Sequence, residues 1–148
     1  MSSKATCSDT AVARGLGRSG LTRPRALAYW SATALVTAEL GVGGLWDVAR
    51  IPYVRDLVTH LGYPPYFLVL LGCWKMLGAA ALLAPGYALL KEWAYAGVLF
   101  TYSGAIVSHL ATGYALGELA PLTAMTALTV VSWSLRPPSR RTHRAAAP

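Results

Sequence analysis

Four long apolar runs constrain the fold of this chain more than any other feature. They cover residues 26–46, 65–84, 93–112 and 119–135, and charges and prolines separate them. Three are close to the ~20 residues that a helix needs to cross a hydrocarbon core of about 30 Å, and the fourth is near the short limit. None alternates apolar and polar residues with the period of two that a membrane strand requires. The sequence therefore predicts an all-α protein, a bundle of four transmembrane helices.

Charged residues are scarce and lie mostly outside these runs. They make up 13% of the chain, whereas about 25% is usual in a soluble domain, so the composition is typical of a membrane protein. Nine of the 13 Lys and Arg residues fall in residues 1–25 and 136–148. These two segments have little apolar surface to bury, and they are predicted to be disordered basic tails on either side of a membrane domain at 26–135.

The basic tails raise nucleic-acid binding as an alternative, since the net charge is +7. That function needs Lys and Arg on a folded surface, with aromatic side chains or a recognisable module, and the sequence has neither arrangement. We therefore predict no nucleic-acid partner and expect the lipid bilayer instead, whose anionic headgroups attract basic segments. The segment 47–63 balances two Arg against two Asp, and 113–118 has no Lys or Arg. Both termini of this multi-pass cell-membrane protein are thus predicted to be cytoplasmic.

Lys75 is the unexpected residue of the second run. It stands between Pro64 and Pro85 without another charge, roughly 14–15 Å from either end of the helix, whereas its side chain spans about 6 Å. A cation at that depth is expected to have a partner. On the antiparallel first helix, Glu39 lies within about three residues, or ~4.5 Å, of the same depth. The sequence predicts a buried Glu39–Lys75 ion pair, with Gly43 on the Glu39 face allowing the two helices to approach.

Further polar residues are expected near the outer ends of the helices. Asp47 ends the first run, His60 precedes the second, His109 lies one turn from the end of the third, and Glu118 opens the fourth. Carboxylates at helix ends are routinely interfacial, whereas a histidine inside an apolar run tends to face an interior or a cavity. Together with Ser108 these residues form a candidate pocket. No metal site is predicted, because the sequence has no HExxH or ExxH pattern.

Ser108 also belongs to a stripe of small residues on the third run. At 100° per residue, one narrow face is formed by Gly97, Thr101, Gly104, Ser108 and Thr112. Such a face either lets another helix pack closely or borders a ligand groove. The sequence leaves both interpretations open.

Several strings carry a resemblance to a known family. In chain order they are LGYPPYFL (61–68), LGCWKMLG (71–78), APG (84–86), LKEWAYAG (90–97) and GAIVSHL (104–110). In this order they resemble the DoxX-like family of small integral membrane proteins, and the resemblance covers about residues 47–135. The positions that match the family pattern, with no role assigned to them, are Tyr63, Pro64, Trp74, Lys75, Glu92, Trp93, Ser108 and His109.

The resemblance implies a four-helix membrane protein. Better-known relatives in the wider DoxX group are membrane subunits of thiosulfate:quinone oxidoreductase or partners of enzymes that handle oxidative stress. One hypothesis is therefore a redox-associated subunit with a quinone-sized pocket, in which His109 donates a hydrogen bond or a proton to a carbonyl oxygen. Its partner would be a redox protein or a second copy of the chain.

The alternative is a noncatalytic membrane scaffold or a small solute-transport module, whose polar interior serves helix assembly or solute passage. The chain has two cysteines, Cys7 and Cys73, and they form no CxxC pair. Since no cofactor motif accompanies them, the sequence assigns no reaction.

Overall fold

The computed structural model describes residues 23–137 and residue 140, and this part of the chain is helical, without a strand. Its helices in chain order are α1 (Arg23–Ala49), α2 (Pro52–His60), α3 (Tyr66–Leu83), α4 (Ala88–Ala111) and α5 (Ala120–Ser134). A 3₁₀ turn, Leu116–Leu119, leads into α5. The prediction of an all-α fold is confirmed. Most of the two predicted tails lies outside the described residues.

The four long helices form a ring in which each packs against two neighbours. α1 packs against α3 and α5, and α4 packs against the same two helices. The ring encloses a buried core, formed by Val36, Leu40, Ala79, Leu82, Tyr95, Val98 and Tyr102. α5 covers this core with partly buried apolar side chains, Leu122, Met125 and Leu128. Apolar residues of all four long helices therefore meet in one place, as a helical bundle requires.

α1 and α3 make a close backbone contact at two glycines. A Cβ added to Gly72 would lie 2.5 Å from the carbonyl oxygen of Gly44, so no larger residue fits there without a shift. Gly43, which the sequence suggested for this role, lies beside the charged side chains instead. A Cβ on Gly43 would lie 2.9 Å from Glu39 Oε1 and 3.3 Å from Lys75 Nζ. Gly44 and Gly72 thus set the helix spacing, and Gly43 leaves room for the two charges.

The chain leaves α1 through a turn centred on Arg50, whose φ is 50°. The N–H of Arg50 donates to the Asp47 carbonyl, and the N–H of Ile51 donates to the Trp46 carbonyl. This is the Schellman pattern that closes many helices. The turn directs the chain into α2, whose nine residues lie between the first two predicted spans.

Three helical segments of the described chain are long and apolar enough to cross a membrane: Tyr66–Leu83, Ala88–Ala111 and Leu116–Ser134. They correspond to the second, third and fourth predicted spans. α1 is longer, with 27 residues, but its Ser, Thr, Arg and Glu residues lower its hydropathy. Composition therefore supports three of the four predicted spans.

Candidate functional site

A charged cluster joins three helices around Lys75. Lys75 Nζ on α3 lies 3.4 Å from Glu39 Oε1 and 3.2 Å from Asp47 Oδ2, both on α1. From α4, the Tyr102 hydroxyl donates a hydrogen bond to Glu39 Oε2. The two carboxylates share one side of α1 because eight residues make little more than two helical turns. Glu39, Asp47, Lys75 and Tyr102 are called the Lys75 cluster below.

The Lys75 cluster is mostly shielded from solvent. The side chains of Lys75, Glu39 and Asp47 are 15%, 29% and 6% exposed. Glu39 accepts hydrogen bonds from both Lys75 and Tyr102. Asp47 Oδ2 is buried and makes an ion pair with Lys75 that lacks hydrogen-bond geometry. When both carboxylates are ionised, the cluster has one negative charge in excess, because a single ammonium faces two of them.

A cavity of about 460 Å³ lies beside this cluster and is called the Lys75 cavity. Its polar lining residues are Glu39, Asp47, Tyr63, Lys75, Thr101, Tyr102, Ser108 and His109. The rest of the wall is largely apolar and includes Phe67, Leu71, Phe100 and Leu122. The Phe100 side of the cavity reaches the outer surface of the bundle, since Phe100 is 77% exposed.

His109 lies in the wall of the Lys75 cavity and is buried. Its Nδ1 is 2.8 Å from the carbonyl oxygen of Ala105, one turn earlier on α4. A carbonyl oxygen only accepts, so Nδ1 carries the proton in this contact. In the neutral ring Nε2 is then an acceptor. The sequence predicted that His109 donates to a ligand carbonyl, whereas in this geometry the neutral ring offers an acceptor, because its one N–H is used by Ala105.

Tyr63 and Ser108 form a second polar contact in the wall. Their hydroxyl oxygens are 2.8 Å apart, and Ser108 Oγ also donates to the Gly104 carbonyl oxygen at 2.9 Å. A serine hydroxyl has one hydrogen, so Tyr63 is the donor in its bond with Ser108. The contact links the chain before α3 to α4.

The structure brings together some of the predicted pocket residues. Asp47, Ser108 and His109 line the Lys75 cavity, with Glu39 and Lys75 beside them. His60 is exposed at the end of α2, with its ring 5.3 Å from the ring of Tyr114. Glu118 is exposed in the 3₁₀ turn. Neither of these two residues is part of the cavity wall.

Tyr102 belongs to the site although the sequence analysis did not select it. It lies seven residues before His109, which is close to two helical turns, so both side chains project from the same face of α4. An aromatic hydroxyl at this spacing from a buried histidine is the signal that would have identified it.

A second recess lies between α3 and α4 and has a volume of about 410 Å³. Trp74 and Trp93 line it, and both are more than half exposed, so we call it the tryptophan groove. Lys75 and Thr101 line the groove as well as the Lys75 cavity. The two recesses therefore share a wall. Four of the five residues in the predicted small-residue stripe border one recess or both: Gly97, Thr101, Gly104 and Ser108.

Polar contacts at the opposite end of the bundle hold helices together. Arg136 Nη2 lies 2.6 Å from Glu92 Oε1, and the Trp133 indole N–H donates to Glu92 Oε2 at 2.9 Å. Lys91 is buried, and its ammonium donates to the last carbonyl groups of α3, those of Ala81, Leu82 and Ala84. Cations near a helix C-terminus are favourable, because the unpaired carbonyl groups there carry partial negative charge.

The profile of the DoxX-like family matches residues 31–132, which is more than half of the chain. The chain belongs to the DoxX-like family. The DoxX-like region begins within α1 and ends within α5, so it includes the Lys75 cluster and the wall of the Lys75 cavity. Searches of curated proteins and of solved structures gave no match.

Proposed function

We propose that this DoxX-like protein spans the membrane four times and binds a lipid-soluble molecule of the quinone class in the Lys75 cavity. The observation that supports this function most is a single cavity with a largely apolar wall and polar side chains from α1, α3 and α4. Its volume of about 460 Å³ falls within the ~300–1,000 Å³ of small-molecule sites. The polar side chains would meet the ring substituents, and the apolar wall would cover the ring.

α1 is the fourth span in this proposal. Its 27 residues extend about 40 Å at 1.5 Å per residue, which is enough to cross the hydrocarbon core. Its acidic residues Glu39 and Asp47 meet Lys75 rather than lipid, which lowers the cost of charge at this depth. Four spans place both basic ends of the chain on the cytoplasmic side, as the distribution of Lys and Arg favours.

The proposed role is that of a redox-associated membrane subunit. The cavity reaches the bundle surface beside the exposed Phe100, so a molecule dissolved in the bilayer has a route to it. We assign binding and positioning of the ligand to this chain, and electron transfer to a partner protein. A second copy of the chain is the alternative partner.

A noncatalytic scaffold, or a small solute-transport module, is the second candidate. The observation that favours a scaffold is that the Lys75 cluster connects α1, α3 and α4 by side-chain contacts. Such contacts stabilise helix assembly without any ligand.

Thermal unfolding in detergent with decylubiquinone or its reduced form, decylubiquinol, tests the proposed ligand site. Gly104 lines the Lys75 cavity and has open space where a Cβ would be placed, so Gly104→Phe would fill the cavity. Gly97 lies two turns away on α4, also has open space, and lines the tryptophan groove instead. Gly97→Phe is therefore the matched control.

The wild-type protein and Gly97→Phe are expected to melt at a higher temperature with the ligand, and Gly104→Phe is not. At a ligand concentration 100 times the Kd, the stabilisation is about 2.7 kcal/mol. Wild-type protein that gains no stability, yet copurifies with a partner protein in native lipids, would favour the scaffold.

A further inference from the structure

We infer that the Lys75 cavity selects a ligand head that donates hydrogen bonds, such as a quinol or phenol hydroxyl, over a head that only accepts them. This inference rests on the proposed ligand site and names the chemical form of the ligand. Its basis is the direction in which each polar group of the cavity wall donates its hydrogen.

The wall hydroxyls already donate to protein acceptors. The pairs are Tyr102 to Glu39, Thr101 to Gly97, Ser108 to Gly104 and Tyr63 to Ser108. Each hydroxyl has a single hydrogen, so these contacts leave only lone pairs for a ligand. A ligand carbonyl that approaches them finds no free hydrogen unless an internal bond breaks.

His109 adds an acceptor to the wall. Its Nδ1–H is directed to Ala105, and within the described part of the chain no hydrogen bond reaches Nε2. Nε2 is not a fully buried atom without a partner, so part of its surface is accessible. With the proton on Nδ1, the neutral ring has an accessible lone pair on Nε2, and an O–H of a ligand in the adjoining cavity is the group that would satisfy it.

The Lys75 ammonium does not reverse the excess of hydrogen-bond acceptors over donors in the cavity wall. Its three N–H groups face the lone pairs of two carboxylates, with Nζ 3.4 Å from Glu39 Oε1 and 3.2 Å from Asp47 Oδ2, so the cluster has more acceptor sites than donors. When both carboxylates are ionised, the excess negative charge of the cluster also disfavours a ligand head that is itself an anion. A neutral head with a hydroxyl group matches both the charge and the acceptors of the wall.

Two probes that differ by one hydrogen-bond donor test this inference. They are para-octylphenol and its methyl ether, para-octylanisole, and their binding to the full-length protein in detergent is measured by titration calorimetry. We expect the phenol to bind about tenfold more tightly, which corresponds to one hydrogen bond. His109→Phe keeps a ring but removes the acceptor, so the preference should fall to less than threefold. His60→Phe is the control, because His60 contacts the same Tyr114 ring from outside the cavity, and it should keep the preference.

Equal or tighter binding of the ether, or an undiminished preference in His109→Phe, would overturn the inference. The proposed function survives that result if decylubiquinone still stabilises the wild-type protein. If decylubiquinone and both probes fail to bind, the ligand site and the inference drawn from it are both wrong.

Discussion

Lys75 Nζ lies 3.2 Å from Asp47 Oδ2, so the lysine contacts a second carboxylate in addition to the Glu39 carboxylate at 3.4 Å. The second contact changes what each substitution does to the charge of the cluster. Loss of Glu39 leaves a neutral Lys75–Asp47 pair, whereas loss of Lys75 leaves two carboxylates without a cation. The three residues are therefore not equivalent.

Lys75→Met is expected to destabilise the protein more than Glu39→Gln. An uncompensated charge inside a membrane bundle costs about 2.5–3.5 kcal/mol on insertion scales, and Lys75→Met adds one such charge to the single excess charge of the cluster with both carboxylates ionised. We expect a loss of about 3 kcal/mol for Lys75→Met and about 1 kcal/mol for Glu39→Gln, measured by unfolding in mixed micelles. The double variant should fall between them, because it retains Asp47 alone.

Arg55→Met is a control for the loss of a cation, since the side chain of Arg55 is 54% exposed in its pair with Asp56. It should change stability by less than about 0.5 kcal/mol. Strict additivity of Lys75→Met and Glu39→Gln would contradict energetic coupling in the cluster.

Gly72→Ala is expected to separate α1 from α3. The added Cβ would lie 2.5 Å from the Gly44 carbonyl oxygen, and a backbone atom cannot rotate away as a side chain can. We expect a loss of about 1–3 kcal/mol, the usual cost of overpacking. Gly78→Ala on the same helix is the control, because its Cβ would come no nearer than 3.9 Å to Leu40. Similar melting temperatures for the two variants would show that the glycine contact does not set the helix spacing.

Tyr53 and the C-terminus are expected to lie on opposite sides of the membrane. Tyr53 is 72% exposed on α2, and the proposed topology of four spans puts it outside the cell and both termini in the cytoplasm. A cysteine at position 53 should react with an impermeant maleimide added to intact cells. A fluorescent protein fused after Pro148 should remain inaccessible to external protease. Labelling of position 53 only after lysis would contradict four spans with this orientation.

Lys91→Met is expected to loosen the connection between α3 and α4. The buried ammonium donates to three carbonyl groups at the end of α3, and a methionine side chain donates to none. A hydrogen bond from a charged group contributes about 1.5–3 kcal/mol, so a similar loss is expected. Faster hydrogen exchange at residues 80–87 is the specific readout. Lys91→Arg, which keeps the charge, should restore part of the protection.

The ends of two spans could be predicted closely because proline marks them. The predicted runs 65–84 and 119–135 correspond to α3, Tyr66–Leu83, and to the last helix, Ala120–Ser134. The third run was predicted to begin at Trp93, whereas α4 begins at Ala88. The predicted run excludes Lys91 and Glu92, since charges and prolines separate the apolar runs. Their charges are accommodated inside helical structure, by the carbonyl groups of α3 and by Arg136.

The site could be predicted only in part, because a sequence gives the depth of a residue more readily than its direction. Counting residues along antiparallel helices relates Glu39 to Lys75. It does not reveal that the lysine side chain also reaches Asp47, since that depends on its rotamer. A prediction from depth alone also placed His60 and Glu118 in one pocket with His109. Their helical segments hold them outside the cavity wall, and α2, which carries His60, was not predicted.

The wall that the Lys75 cavity shares with the tryptophan groove allows ligand binding to be followed by tryptophan fluorescence. Trp74 and Trp93 lie on the groove side of this wall, and Lys75 and Thr101 belong to both sides. The emission of an indole depends on nearby charge and polarity, so a displacement of the ammonium when the cavity fills would change the fluorescence of these two residues. Occupancy in native membranes can then be followed without a label, with Trp74→Phe and Trp93→Phe identifying the source of the signal.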